Sequence, residues 1–547
     1  MLRIINQHRS FILFCLLIFV CLNLNLLAVV PPSRLTGDDI SLLLTASAPA
    51  RDLGVPYKDY WVESNPGIIL FLSFWVKFLG SSMASLKILE LLTFIGISLF
   101  IYLILKKIFS TFYVFLIGGL TIITMFSPYL NFLLFSPESI GLLFSLAGLV
   151  SLLYLRGLKL KFFLSTLFFT ISGQIHDLFA LTILTILPSL IALKASSRHR
   201  NFLVAIASSF FGFLLVNSLI SLSLFSLGSY SAYLEVLQYK LGRYSGYLFG
   251  QENGFFDILL YTLWHSKNII VSLQHEIGLI LMAFFVSFVL ILFPDCKLSW
   301  PKKKVINGVI LFTTPSIRLT FTKSTVNINM VMVFLYSFVS LVGLNLWSNF
   351  DFRFLLQMVP AIFLFWAIVL KSTFENLLKF LKMSKPRFLL VPLLILFLFP
   401  KGSYLSSYFV DWKISRYAKS EPLLNKQEDY LVLNTRPSEC ILSLYGWNVA
   451  QTYFYAQRKP CTRFFQPSLN TLNWQREEYQ ASLLQNPPRV IVYTREGANL
   501  DVDLFERKVF NFSKVLKQCY YPSTDLNLYS SKYSLEELKS CLMQNYL

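Results

Sequence analysis

The sequence predicts a polytopic α-helical membrane protein with a small α/β domain at its C-terminal end. Hydrophobic residues make up 55% of the 547 residues and charged residues only 14%, whereas soluble domains average about 25% charged residues. Apolar runs close to the ~20 residues that cross a bilayer recur along the first three quarters of the chain. After residue 408 these runs stop, and short β-rich and helical segments replace them.

The apolar runs predict about eleven membrane spans, and many of these runs end in clusters of Lys or Arg. The expected spans are 11–30, 84–105, 110–128, 138–155, 162–176, 178–194, 201–225, 270–293, 326–346, 353–371 and 388–408. No small-residue cleavage site follows the first run, so we expect an uncleaved anchor. Clusters of Lys and Arg are expected in the cytoplasm, and the stretch 305–325 is expected at the cytoplasmic interface. An odd number of spans then places the N-terminus inside and residues 409–547 outside.

The formal net charge of +19 follows from this topology. Most of the excess positive charge lies in the Lys and Arg clusters between spans, where it directs membrane insertion. We therefore predict no nucleic-acid partner, although a basic protein can in principle bind one.

Residues 409–547 are predicted to form a small extracytoplasmic α/β domain. The β-rich runs are "DYLVLN", "ECILSLYG" and "PRVIVYT", and the helical runs are "NVAQTYFYAQR", "WQREEYQASLLQ" and "DLFERKVF". Four of the seven cysteines lie here, on the side where disulfides persist. Four cysteines allow three pairings. Pairing of sequence neighbours, Cys440 with Cys461 and Cys519 with Cys541, stands beside the alternative of free buried thiols.

Ionisable residues gather at the predicted extracytoplasmic face, and a functional site is expected there. Charges at membrane depth are costly and are therefore functional candidates. The candidates are Asp38, Asp39, Asp52, Lys58, Asp59 and Glu63 in the first loop (31–66), Glu138, His176 and Asp177 at span ends, Lys240 and Arg243 in the large loop (226–269), and Asp351 and Arg353 before a late span. Any one of them could be an ordinary solvated charge, and their common side is what favours a site.

The large loop also concentrates tyrosines. They are Tyr230, Tyr233, Tyr239, Tyr244 and Tyr247. Tyrosines at a membrane surface usually form an interfacial belt, and stacking against a sugar is the alternative. The two roles are compatible with each other.

The stretch "GDDISLLLTASAPARDLGVPYKDYWVESNPG" (37–67) resembles the first extracytoplasmic loop of the GT-C glycosyltransferases. The resemblance is to the branch of the protein O-mannosyltransferases and the bacterial aminoarabinose transferase. In that family an acidic residue opens a juxtamembrane helix, a Gly-x-Pro-Tyr-basic-Asp segment follows, and a Pro-Pro-Gly turn enters the next helix. "SPESIGLLFSLAGL" and "FRFLLQMVPAIFLF" are similar to later family segments, and "YGWNVAQTYFYAQRKPCTRFF" resembles the C-terminal domain of bacterial members.

The resemblance implies a reaction and a set of site residues. A sugar would move from a polyprenyl-phosphate donor to an acceptor hydroxyl on a glycan, lipid or protein, with inversion, catalysed by the membrane domain (1–408). Asp39, with Asp38 second, is implied as the general base, and Arg353 as the main cation for the leaving phosphate. The other substrate-binding candidates are Lys58, Tyr57, Asp59, Glu138, His176, Asp177 and Arg243. The expected location is the bacterial inner membrane, with the site and residues 409–547 in the periplasm.

Two other functions and a cofactor stay open. A flippase or transporter of lipid-linked glycans would also place charges in a membrane cavity, but transporters commonly show internal repeats and none is evident here. A polysaccharide polymerase or ligase would transfer a long chain rather than one sugar. No cofactor is certain. A divalent cation is an option because carboxylates and imidazole bind metals, but no ligand spacing in the sequence is diagnostic.

Overall fold

The computed structural model describes the larger part of the chain. The described ranges are 38–109, 136–195, 199–249, 328–345, 422–444, 449–465, 473–493, 512–523 and 528–546, with four short strands between residues 296 and 319 and scattered positions elsewhere. The predicted spans 11–30, 110–128, 270–293, 353–371 and 388–408 lie outside these ranges except for scattered positions. The total of about eleven spans therefore stays a prediction.

The membrane part is helical over the predicted spans that the structure describes. Its helices are α1 (Asp38–Ser47), α2 (Pro66–Leu79), α3 (Met83–Ile108), α4 (Pro137–Tyr154), α5 (Leu158–Ile175), α6 (Leu187–Ala195), α7 (His199–Ser226), α8 (Tyr230–Phe249) and α9 (Ile328–Asn345). A 3₁₀ helix, Asp177–Ile186, leads into α6, and a 3₁₀ turn, Pro49–Arg51, follows α1. Among the described residues, four segments are long and apolar enough to cross a membrane: Ser85–Ile108, Pro137–Tyr154, Asp177–Ala195 and His199–Ser226.

Local sequence explains where the helices begin and how closely they pack. Helix α4 begins after Ser136, whose hydroxyl accepts a hydrogen bond from the Ser139 backbone N–H at 3.2 Å, as an N-cap residue does. Helix α5 lies against both α4 and α7. The contact with α7 is close because Gly212 has no side chain: a Cβ there would lie 2.6 Å from the Phe163 carbonyl oxygen. Buried apolar side chains of α3, α4, α5 and α9 form one cluster.

Four short strands between residues 296 and 319 were not predicted. They are β1 (Cys296–Ser299), β2 (Lys303–Ile306), β3 (Val309–Phe312) and β4 (Ser316–Leu319), paired antiparallel as β1 with β4 and β2 with β3. Asn307 and Gly308 separate β2 from β3 in the sequence, and Asn-Gly between apolar runs is a strong hairpin signal.

The C-terminal part is a four-stranded sheet with helices. Its elements are α10 (Pro422–Asn434), β5 (Leu442–Leu444), α11 (Val449–Ala456), α12 (Asn473–Gln485), β6 (Val490–Tyr493), α13 (Phe512–Cys519), β7 (Tyr520–Ser523), β8 (Leu528–Ser531) and α14 (Leu535–Tyr546). The strand order is β5-β6-β8-β7, and only β5 and β6 are parallel. Disulfides join Cys440 to Cys461 and Cys519 to Cys541, which confirms the pairing of sequence neighbours.

One predicted strand in this part is wrong. The run "DYLVLN" lies in α10, where Gln427, Glu428 and Leu431 are buried, as is Thr435 just after the helix. That spacing of three to four residues is helical. Six β-rich residues could not reveal the longer period, because short apolar runs do not distinguish strand from helix. The predicted helix "DLFERKVF" lies outside the described residues.

The C-terminal part and the first loop share a core. The Trp61 backbone N–H donates to the Arg463 carbonyl at 2.7 Å, and its ring lies 5.4 Å from that of Phe464. The ring of Tyr60 lies 5.8 Å from that of Phe465. Helix α1 packs against both α2 and α11. The loop is therefore held from two sides, by the helices and by the sheet domain.

Candidate active site

The "NPG" turn at the end of the first loop brings the loop against α5. Pro66 is the first residue of α2, a position where its missing N–H costs nothing. Gly67 follows, and a Cβ at this position would lie 2.5 Å from the Gln174 carbonyl oxygen. Only glycine permits this backbone approach. The turn thereby places Asn65 beside the end of α5.

Asn65, Asp177 and Lys240 form a closed polar triad between three separate segments. Asn65 Nδ2 donates to Asp177 Oδ1 at 2.6 Å and to the Gly173 carbonyl at 3.1 Å. Lys240 Nζ donates to Asp177 Oδ2 and to Asn65 Oδ1, both at 2.8 Å. An Asn at an N-cap usually bonds its own helix, but Asn65 makes no such bond. Its side chain joins the first loop to α5 and α8 instead.

A break in the helix creates the second half of the cluster. Helix α5 ends at His176, whose extended backbone (φ −150°, ψ 132°) separates it from the following 3₁₀ helix. His176 Nδ1 accepts a hydrogen bond from the Leu178 backbone N–H at 3.3 Å. This bond assigns the ring proton of a neutral imidazole to Nε2. Nε2 lies 3.5 Å from Glu138 Oε1, so it donates toward that carboxylate.

Glu138 is a buried carboxylate with one oxygen left over. It lies in the first turn of α4 and is only 5% exposed, close to the helix N-terminus that favours negative charge. Its Oε1 faces His176, but its Oε2 is buried without a hydrogen-bond partner among the described residues. A buried unsatisfied oxygen costs about 1–3 kcal/mol. Such an oxygen can accept one further hydrogen bond.

Tyr57 is held within the protein rather than exposed in the loop. It is fully buried with a left-handed backbone (φ 66°), which is strained for a bulky side chain. Its hydroxyl donates to the Ser64 carbonyl at 2.8 Å, and its ring lies edge-on to Tyr233, 5.2 Å away. Burial, with the neighbouring Tyr233 and the charge of Asp177, raises the pKa of Tyr57 well above its usual range. The hydroxyl therefore stays protonated as a donor.

Lys58 and Asp59 face a different feature. Both are exposed and line a polar cavity of about 650 Å³ between the first loop and the C-terminal part. Its lining does not include Glu138, His176 or Asp177. Asp59 Oδ2 accepts a hydrogen bond from the Val55 backbone N–H at 2.7 Å, which shapes the loop. The polar residues around the end of α5 are a second group, which we call the outer cluster: Glu138, His176, Asp177, Asn65 and Lys240.

Four predicted site residues cannot be located. Asp38 and Asp39 lie at the start of the described part of helix α1, and the residues before Asp38 lie outside the described ranges. The side chains of Asp38, Asp39 and Arg243, and the whole of Arg353, lie outside the described residues. Their roles stay predictions.

The tyrosines of the large loop contact the first loop. Besides the pair of Tyr233 with Tyr57, Tyr239 lies 5.5 Å from the ring of Trp61, and Tyr230 stacks on Phe225 at 4.0 Å. Tyr233 and Tyr239 thus pack against the first loop, and the interfacial belt stays a prediction. Helix α8 therefore packs against the first loop.

Sequence reasoning missed Asn65 and gave Lys240 no specific role. Asn65 stands where the family pattern has proline, so this departure was the available signal. A metal site is not complete in the described part: no three His, Cys, Asp or Glu side chains there gather closely enough. Glu138 and His176 offer two ligands, which alone do not fit a resident metal. No chemical step is therefore assigned to one.

Comparison with known proteins gives the fold. No protein-family model and no curated protein sequence matches the chain. One similar solved structure is the oligosaccharyltransferase AglB from Archaeoglobus fulgidus in complex with an inhibitory peptide and a dolichol-phosphate. Its sequence is 12% identical, and the TM-score is 0.51. The match covers 99% of this chain and 78% of AglB. ArnT from Cupriavidus metallidurans in the apo state is 9% identical, with a TM-score of 0.53 over 94% and 97%. ArnT bound to undecaprenyl phosphate is 8% identical, with a TM-score of 0.51 over 95% and 97%.

AglB and ArnT are GT-C membrane glycosyltransferases. The chain thus shares the fold of these two proteins, as the first loop predicts, and four helices among its described residues are long and apolar enough to cross a membrane. At 8–12% identity the likeness carries the fold alone.

Proposed function

We propose that this protein is a glycosyltransferase that moves a sugar from a polyprenyl-phosphate donor to an acceptor hydroxyl at the outer face of a membrane. The observation that carries the proposal is the outer cluster, a group of ionisable side chains at the helix ends of a GT-C fold. Solved structures of this fold contain dolichol-phosphate or undecaprenyl phosphate. A bacterial inner membrane with a periplasmic site fits the distribution of Lys and Arg in the sequence.

The chemistry requires a base and a cationic environment for the leaving phosphate. In the proposed reaction Asp39, or Asp38, takes the proton of the acceptor hydroxyl. The oxygen then attacks the anomeric carbon, the bond to the phosphate breaks, and the configuration inverts. Arg353 receives the charge of the leaving polyprenyl phosphate, since a guanidinium binds two of its oxygens, and Arg243 is a further candidate.

The outer cluster has a defined part in this proposal. Glu138 Oε2 accepts a hydrogen bond from a hydroxyl of the bound sugar, and His176 holds the carboxylate in place from its other oxygen. Asp177 is already bound by Asn65 and Lys240, so its part is to fix the first loop rather than to act as a base.

Removal of the gene tests the proposal directly. A strain without the gene, compared with its parent by mass spectrometry of lipids and glycans, should accumulate a polyprenyl-phosphate sugar and an undecorated acceptor. Reintroduction of the parental gene should reverse both changes. Accumulation of the polyprenyl-phosphate sugar on the inner leaflet alone would instead identify a flippase.

Transfer of a preassembled glycan is the second candidate. The likeness to AglB, an oligosaccharyltransferase, favours it. The mass of the group that the acceptor gains separates the two candidates. One sugar unit supports the first proposal, and a repeating or branched glycan supports a ligase or polymerase.

A further inference from the structure

Helix α8 connects the outer cluster to the C-terminal part through two residues of opposite charge. Lys240 enters the triad with Asn65 and Asp177. Glu235, one and a half turns earlier on the same helix, binds Arg463 of the C-terminal part. Five helical residues rise about 7.5 Å and rotate by about 140°. The two side chains therefore leave α8 in different directions, toward different partners.

The contact between Glu235 and Arg463 has the geometry of a strong ion pair. Arg463 Nη1 donates to Glu235 Oε2 at 3.0 Å, and Nη2 donates to Oε1 at 2.9 Å. Two parallel hydrogen bonds of this kind fix direction as well as distance. The Arg463 side chain is 13% exposed and that of Glu235 39%, so the pair is partly sheltered from the screening that weakens a fully exposed salt bridge.

Arg463 is itself held from several sides. Its guanidinium lies 5.2 Å from the ring centre of Trp61 and 5.0 Å from that of Phe464, within the range of cation–π attraction. Nη2 also donates to Glu478 of α12. Burial lowers the pKa of Arg463, but its hydrogen bonds with Glu235 and Glu478 and their charges outweigh burial and raise it. The guanidinium is thus a fixed, permanently charged anchor.

We propose that Arg463 is a positioning residue for the outer cluster: by holding Glu235 it sets the place of α8, and so the place at which Lys240 ties Asn65 to Asp177. The C-terminal part would then control the geometry of the site without contacting substrate. The consequence for activity rests on the proposed function, whereas the mechanical link between Arg463 and the triad does not.

Substitution of Glu235 tests the link with few side effects. Glu235→Gln keeps the size of the side chain and leaves Arg463 with Glu478. Glu478→Gln is the matched control, because it removes a carboxylate from the same guanidinium but does not touch α8. In the full-length protein in lipid nanodiscs, hydrogen exchange should rise roughly tenfold or more over 230–249 in Glu235→Gln, as expected for the loss of a charged hydrogen bond. It should change less than about twofold in Glu478→Gln.

Lys240→Met separates a positioning role of Arg463 from a merely structural one. The measurement is hydrogen exchange at 173–178, next to the triad. Both Glu235→Gln and Lys240→Met should speed exchange at 173–178, and the double variant should be no faster there than Lys240→Met alone. Transfer activity should show the same non-additivity, which is the signature of two residues that act through one interaction.

Two results would overturn the proposal. One is equal exchange over 230–249 in Glu235→Gln and Glu478→Gln. The other is an additive effect of Glu235→Gln and Lys240→Met at 173–178. If the parental protein showed no sugar transfer, the proposed function would fail, but the exchange measurements would still decide whether Arg463 positions the triad.

Discussion

Glu138 has a buried carboxylate, which is costly for stability and useful for binding. Its carboxylate is almost completely enclosed, and one of its two oxygens has no partner in the described part of the structure. Asp177, by contrast, has a hydrogen bond on each oxygen. Among the described residues, both oxygens of Asp177 are therefore hydrogen-bonded, whereas one oxygen of Glu138 can still accept a hydrogen bond.

Glu138→Gln should lower transfer and leave stability intact. The amide keeps the size of the carboxylate but loses its charge, and a charged acceptor binds a hydroxyl about twice as strongly as a neutral one. We expect transfer in proteoliposomes to fall by about tenfold, with a melting temperature equal to or above the parental value because a neutral group costs less to bury.

A control for Glu138 lies in α3. Glu90→Gln removes another sheltered carboxylate, 13% exposed and bound to Lys87 at 2.7 Å, outside the outer cluster. Its transfer activity should stay close to the parental value. Equal losses in both variants would show that charge removal in the helices, rather than the position of Glu138, lowers activity.

Asp39 and Asp38 can be separated in the same way. Asn retains a side-chain oxygen for capping α1 but cannot take a proton as a carboxylate does. If Asp39 is the base, Asp39→Asn should insert and fold normally while transfer falls by ~10²- to 10⁴-fold, and Asp38→Asn should be much milder. The assay is turnover of a synthetic polyprenyl-phosphate sugar. Near-parental turnover in both variants would exclude both residues as the base.

At the scale of elements, the start of α2 and the end of α5 are fitted to each other. Asn65, Pro66 and Gly67 are three consecutive residues with three different tasks: a bridge to Asp177, a helix start, and a close backbone contact with Gln174. The order of these residue types explains why a short turn can fix two segments more than 100 residues apart. The outer cluster depends on this fit.

Gly67→Ala tests the fit. In an open helix, alanine would stabilise by up to about 1 kcal/mol relative to glycine. At Gly67 the new methyl group meets backbone, which cannot move aside cheaply, so we expect a destabilisation of about 1–3 kcal/mol. Thermal unfolding of the purified protein in detergent measures it.

Gly157 is the matched control for Gly67. It precedes α5, and nothing lies within 4 Å of a Cβ at this position. Gly157→Ala should therefore stay within about 0.5 kcal/mol of the parental stability. Destabilisation of the same size in both variants would mean that the contact with Gln174 is not the cause.

At the scale of the whole molecule, the first loop is the layer between the helices and the sheet domain. One continuous apolar cluster includes Trp61 of the loop, Ile140 of α4 and Phe464 of the C-terminal part. Separate domains joined by a linker would instead have separate cores. Because the C-terminal part packs against the first loop, both must lie on the same side of the membrane.

Reporter fusions test which side that is. A reporter fused after residue 409 should be active only outside the cytoplasm, and one fused near Lys302 only inside, because the clusters of positive charge are expected in the cytoplasm. Activity of the first fusion in the cytoplasm would place the outer cluster inside and remove the proposed extracytoplasmic reaction.

The sequence by itself determined the class of protein, the position of several spans and the GT-C character of the first loop. These features depend on composition, hydrophobic periodicity and short motifs, which are local properties of the chain. The sequence also suggested the disulfide pairing of neighbouring cysteines, which the structure contains. The strand predicted in "DYLVLN" failed because a six-residue window is shorter than the helical pattern that contains it.

Only the tertiary structure decided how the candidate residues are distributed. Asn65 and Asp177 are 112 positions apart, Lys240 and Asn65 175, and Arg463 and Glu235 228. Sequence placed these charges on one face but could not pair them, because pairing depends on how the helices and the sheet domain pack. The same packing places Lys58 and Asp59 at a cavity that the outer cluster does not line. Among the described residues it also leaves one oxygen of Glu138 without a hydrogen-bond partner. Composition and hydrophobic pattern predict which charged residues lie outside the membrane spans. The packing of the helices and the sheet domain decides which of these residues contact each other.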